Sequence, residues 1–185
     1  MKIKDLIQNS AVLLGLTDTV SVLQDEQKTD ADKLADKQVA ELLNLAELSI
    51  RELCTNYVPV LSTCEITTLN KTYPLSSIEN FIKIESVKKG EENVKFKIIS
   101  RNLILEEDGN FTVEYYSHPS ISALTDDVSF LQEFGTEVAV FGLCAYYCLT
   151  KGLFEDFENY HEMYLERCTA LKEVKCCIMP QRRWE

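Results

Sequence analysis

Histidine is scarce in this sequence: 185 residues contain two, His118 and His161. Nucleophile–base chemistry therefore has little to work with. Neither histidine neighbours a serine or cysteine motif, and there is no G-x-S-x-G elbow and no papain-like cysteine context. His118 precedes Pro119 and reads as a solvated loop residue; His161 reads as a helix-seam or surface residue. Six scattered glycines exclude a glycine-rich phosphate loop. Positive charge is short as well. Nineteen Lys and Arg stand against thirty Asp and Glu, a net charge of −11. Such a surface repels phosphate backbones, and the one arginine-dense spot, Arg182-Arg183, is too small to bind nucleic acid by counterion release. No apolar run is long: 138–149, VAVFGLCAYYCL, falls well below the ~18 residues of a membrane span. The opening MKIKDLIQNSAVLLGL starts basic, but Asp5, Gln8 and Asn9 interrupt its apolar region and no small-residue cleavage site follows. The expectation is a soluble cytosolic protein with reduced thiols.

What is present suits a globular chain. Hydrophobic residues make up 45%, and a chain of this length buries roughly 70% of its unfolded surface without staples. Apolar residues at steps of three and four predict helices over 3–16, 30–56, 130–151 and 154–175. Thr29 and Asp32 make a capping box before the second, with a polar connection ahead of it. Ser129 and Gln132 resemble another, although Gly135 can delay the continuous helix to Thr136. Gly142 and Ala145 leave room for a close neighbour, and Gly152 terminates that helix. Over about 62–116 the period changes to two. Val94, Phe96 and Ile98 alternate with lysines, as do Phe111, Val113 and Tyr115 with polar residues; CEITTL and IKIESV are weaker strands. KKGEEN reads as a turn and Asp108-Gly109 as a hairpin turn. The fold class expected is mainly α (α+β): a four-helix core with a small antiparallel β-meander inserted. It forms a single domain over 1–175, followed by a tail, 176–185.

Seven cysteines are spread along the chain. Cys144 and Cys148 stand one helical turn apart, with His161 and Cys168 on the next helix, a pattern that can be imagined as a zinc site. Both cysteines lie in the most apolar stretch, however, and no C-x₂-C pair exists, so core packing is the better reading. Adjacent Cys176 and Cys177 would point apart as helical neighbours, which suits packing of a helix end rather than a metal site or a redox pair. The acidic EDFENYHE reads as a solvated helix face, and Phe157, Tyr160 or His161, Tyr164, Cys168 and Leu171 as core spacing or a seam against another subunit. No metal, cofactor or catalytic residue is expected.

One stretch carries a resemblance. In FTVEYYSHPSISALTDDVSFLQEFGTEVAVFGLCAYYCLTKGLFEDFENYHEMYLERCTAL, a strand ending V-x-Y-Y gives way to a proline loop and an acidic turn. An apolar helix with a Tyr-Tyr pair, a KGLFEDF turn and an aromatic-rich helix follow. This resembles the head–tail adaptor (connector) proteins of tailed bacteriophages and prophages, as do the upstream layout and the Pro-x-Arg-Arg-Trp ending. The resemblance implies a non-enzymatic virion protein forming rings, commonly dodecameric, beneath the portal at the head–tail junction, with the host cytoplasm as its place before assembly. Portal and tail or stopper proteins would be partners, and DNA would pass without specific binding through an acidic lumen that repels it. Under this reading Met179, Pro180, Arg182, Arg183 and Trp184 form a partner-binding arm, since Trp and Arg are enriched at interface hot spots. The arm would dock on a neighbouring subunit or on portal; the alternative is that Met179 and Trp184 fold back onto the chain's own helices. Competing functions are a small thiol- or metal-dependent enzyme using Cys144, Cys148 or His161, and a monomeric peptide-binding module whose sheet edge accepts a strand.

Overall fold

Asp36 sits inside the apolar-periodic stretch and divides it. Its carboxylate accepts from the backbone N–H groups of Gln38 (2.9 Å) and Val39 (3.2 Å), the bonds an N-cap makes. One helix therefore ends before it and another starts after it: α3 (Asp30–Leu34) and α4 (Lys37–Asn56). The expected capping box holds at the start of α3, where Thr29 Oγ1 accepts from the Asp32 N–H at 3.3 Å and Asp32 accepts from the Thr29 N–H at 3.0 Å. The computed structural model describes the backbone of residues 1–176, and their side chains apart from 132–134 and 171–176. Within it the chain forms two compact units: Met1–Glu52 together with the chain from Ile121 onward, and Leu53–Ser120.

The first unit is helical. Besides α3 and most of α4 it holds α1 (Ile3–Leu13), α2 (Thr17–Gln24), α5 (Glu137–Lys151) and α6 (Phe154–Cys176). α2 lies where the sequence reads as a polar connection. Only Thr19 and Leu23 of α2 are buried, too few to mark a period, and Thr19 is held by side-chain bonding instead. Its hydroxyl donates to Gln38 Oε1 (2.9 Å), whose amide donates to Tyr147 Oη (3.1 Å). α5 is the central element, with nine buried residues from Val138 to Cys148. Gly135 delays it as expected: Ser129–Phe134 form a 3-10 turn and the α-helix starts at Glu137. The Ser129 N–H and hydroxyl both donate to Asp127, at 2.9 Å each; the other half of the expected Ser129–Gln132 capping box, the Gln132 side chain, lies outside the described side chains. Gly152 closes α5 at φ 72°, a left-handed cap that glycine adopts without strain. Among the described residues no helix is long and apolar enough to cross a membrane.

The second unit holds seven short strands: β1 (Val60–Thr68), β2 (Thr72–Pro74), β3 (Phe81–Lys89), β4 (Glu92–Asn93), β5 (Phe96–Ile99), β6 (Asn102–Leu105) and β7 (Gly109–Ser117). They form two antiparallel sheets, ordered β1-β7-β3-β4 and β2-β6-β5. The side chains on the alternating positions of β7, Phe111, Val113 and Tyr115, are buried with Ile66, Ile84, Val87, Leu103 and Leu105 in one core drawn from both sheets.

This corrects the expected architecture. Among the described residues, six helices and seven strands in two sheets make an α+β fold, not a four-helix core carrying a meander. β7 inserts between β1 and β3, and β6 and β7 belong to different sheets. Asp108-Gly109 is therefore a crossing between sheets rather than a hairpin turn. Gly90-Glu91 makes a two-residue turn between β3 and β4. Asn70-Lys71 and Ser100-Arg101 make two more, all four of their residues with φ between 49° and 62°. The I′ geometry that matches strand twist needs φ > 0 at both positions, and here residues other than glycine supply it. Ile98, expected on the packed face with Val94 and Phe96, is 48% exposed.

Candidate functional site

Helices α5 and α6 meet α4 at one unusually close point. A Cβ placed on Gly142 would lie 2.5 Å from Ser49 Oγ and 3.2 Å from the Tyr164 ring. The room expected of Gly142 is thus occupied by α4 on one side and α6 on the other. Beside this crossing lies a cavity of about 190 Å³. Ala145, Tyr146 and Leu149 of α5 line it together with Phe157, His161 and Tyr164 of α6, and Glu52 closes one side. Small-molecule sites are larger, ~300–1,000 Å³; an apolar cavity of ~150 Å³ accommodates one benzene ring.

The polar groups here are arranged for structure. The Tyr146 hydroxyl donates to the Glu52 carboxylate at 2.7 Å. Burial, then the hydrogen bond to Glu52 and its negative charge, push the Tyr146 phenol up to about 12, so it stays a donor at neutral pH. His161 stacks on Phe157 with ring centroids 5.1 Å apart and planes 15° apart, and faces Tyr164 at 6.4 Å. It is half-buried in an aromatic wall, with no nucleophile bonded to it among the described residues.

The outer side of α6 is open. Phe154, Phe157, His161 and Leu165 follow at steps of three and four, a strip in which Phe154 is 66% and Leu165 40% exposed. Leu149 and Leu153, just before α6, are 44% and 47% exposed. Glu158, Glu162 and Glu166 run beside this strip at i, i+4 spacing, and none of the three has an ion-pair partner among the described residues. Sequence reasoning treats EDFENYHE as a solvated face. The missed signal is large apolar residues off the buried stripe, next to a single-signed row of charge.

The other candidates separate. Cys144, Cys148 and Cys168 are buried, and the Cys144 thiol donates to the Ser10 carbonyl at 3.8 Å. Burial pushes Cys144 and Cys54 up to about 12. Among the described residues no three His, Cys, Asp or Glu side chains converge in a way that could hold a metal ion. His118 follows β7 in the second unit, its N–H donating to the Asn80 carbonyl (3.2 Å). Met179, Pro180, Arg182, Arg183 and Trp184 lie outside the described residues, as does Cys177. No protein-family model and no curated protein matches the chain.

A thiol with a pKa near 12 is about one part in ten thousand thiolate at pH 8, against roughly a quarter for an ordinary cysteine. Cys144 and Cys54 are therefore expected to resist iodoacetamide in the native protein and to react on unfolding. Peptide mass mapping after timed alkylation checks this. Native-state labelling of Cys144 at the rate of a free thiol would return the thiol-enzyme reading to contention.

Proposed function

We propose that this chain is a non-catalytic structural subunit of the head–tail junction of a tailed phage or prophage. It joins portal to tail or stopper proteins as one member of a ring that extends the DNA channel, dodecameric when assembled. It waits in the host cytoplasm until then, as a monomer if the ring forms only on portal. The observation that carries the reading is the open apolar strip of α6 with its row of carboxylates that have no ion-pair partner among the described residues. Contiguous apolar surface rimmed by polar residues marks a protein–protein contact. The Tyr146 hydroxyl and His161 beside it are engaged in packing. The resemblance noted in 111–171 supplies the particular assembly. The charge of −11 is compatible with a wall along which DNA slides without sticking.

The test is binding to portal complexes encoded by the same genome, read by co-sedimentation and electron microscopy. Saturable binding with ring-shaped density at the portal exit is expected. Absence of binding overturns the proposal. A monomer in dilute solution does not, because a ring that nucleates on portal has no reason to form early.

A further inference from the structure

Two open surfaces of this chain complement each other. On α6, Phe157, Glu158, His161, Glu162, Leu165 and Glu166 line one groove. Its glutamates stand four residues apart, about 6 Å at the helical rise, and no Lys or Arg lies three or four residues from any of them. Like charges at that spacing destabilise a free helix, so the groove calls for a cationic partner with apolar surface beside the charge. The outer end of the β5–β6 hairpin has that chemistry. Ile98 and Ile99 are 48% and 54% exposed there. Lys97 and Ile99 share a face, because side chains alternate along a strand. The alternation of burial runs back through Lys95: Val94 and Phe96 are half-buried, whereas Lys95 and Lys97 are exposed. The two lysines thus stand about 7 Å apart, and Arg101 is exposed in the turn that follows. None of these three cations has an ion-pair partner among the described residues.

We therefore propose that the β5–β6 hairpin of one copy docks in the α6 groove of a second copy. Lys95, Lys97 and Arg101 pair with the glutamate row, and Ile99 covers part of the apolar strip. The spacing of the lysines, about 7 Å, is close to that of the glutamates, about 6 Å, so flexible side chains can pair in register. Both surfaces are exposed in the chain that carries them. The groove does not suit itself: two α6 faces brought together about a two-fold axis set glutamate against glutamate, which like-charge repulsion opposes. A contact between two different patches is heterologous, the type that builds rings when its rotation closes. It rests on the reading of the chain as a ring subunit and names how one copy holds the next.

Sedimentation of the full-length protein over concentrations up to about 1 mM reads this contact. The mass is expected to rise with concentration, and the association midpoint to rise with salt, since the screening length falls from ~10 Å at 0.1 M to ~3 Å at 1 M. Glu162→Lys with Glu166→Lys should raise the midpoint ~tenfold or more, and Lys95→Glu with Lys97→Glu by as much. Circular dichroism should stay that of the parent in both variants, because all four side chains are exposed and lack an ion-pair partner among the described residues. Each variant alone sets like charge against like. Mixed in equal amounts, each groove again meets a hairpin of opposite charge, so the mixture should associate as the parent does. A protein that stays monomeric up to about 1 mM overturns the proposal, as does a mixture that does not associate. Loss of association in the α6 variant but not in the hairpin variant means that other cations fill the groove, Arg182 and Arg183 among them, and overturns it too. Portal binding by a chain that does not self-associate removes this contact and leaves the adaptor reading standing; self-association through these residues without portal binding does the reverse.

Discussion

Gly142→Val is expected to destabilise the helical unit by about 3 kcal/mol, the upper part of the range for forcing extra carbon into a packed core. At a helix interior, replacing glycine ordinarily helps: alanine is favoured by ~1 kcal/mol. The sign reverses here because the space is taken. The first added carbon meets Ser49 Oγ at 2.5 Å and the Tyr164 ring at 3.2 Å, and the two methyls of valine extend from that same crowded point. For a chain of this length a melting temperature falls ~2–4 °C per kcal/mol, so the transition of the helical unit should drop by about 6–12 °C. Gly142→Ala should cost less, and Ser49→Ala should relieve part of it. The Ser49 hydroxyl has no hydrogen-bond partner among the described residues, so deleting it breaks no bond and removes the closest obstacle. A double-mutant cycle with a favourable coupling between the two alanines is the expected outcome. Gly142→Ala more stable than the parent would show that the crossing is looser than 2.5 Å implies.

Phe111→Ala should cost about 3–5 kcal/mol in the β unit, the usual range for emptying a buried phenylalanine site. Phe111 is 2% exposed in the core shared by the two sheets, on β7, which pairs with β1 along its whole length and with β3 on its other side. The void would face residues of both sheets, and small strands held from two sides have little freedom to collapse into it. The ammonium of Lys89 also lies 5.8 Å from the ring centroid and loses that contact. Ile98→Ala is the control. At 48% exposure that side chain has little burial to lose, and the change should stay within ~0.5 kcal/mol. Hydrogen exchange of the β7 amides, read against denaturant unfolding, separates loss in this unit from loss elsewhere. If the two substitutions fall within about 1 kcal/mol of each other, the two-sheet core is not what holds the β unit together.

Sequence alone determined the features whose causes are local. Apolar steps of three and four marked α1, α4, α5 and α6. Alternation marked β7, because both periods follow from where successive Cβ atoms point. The Thr29–Asp32 box and the Gly152 cap were legible because a cap is made by residues within one turn of each other. Tertiary structure decided the rest. Asp36 splits a continuous apolar pattern because its carboxylate takes two backbone donors, a choice the pattern does not record. α2 is helical although polar, held by Thr19 through Gln38 to Tyr147. β7 lies between β1 and β3 because backbone ladder bonds are alike for any pair of strands; only the packing of Phe111, Val113 and Tyr115 across both sheets selects the order. The candidate site was the least legible. An amphipathic stripe shows that a helix face wants covering, but not whether its own chain covers it. On α6, Tyr164 and Cys168 are buried within the helical unit, whereas Phe154, Leu165 and the glutamate row are left open. That difference depends on which face of α6 the rest of the helical unit packs against.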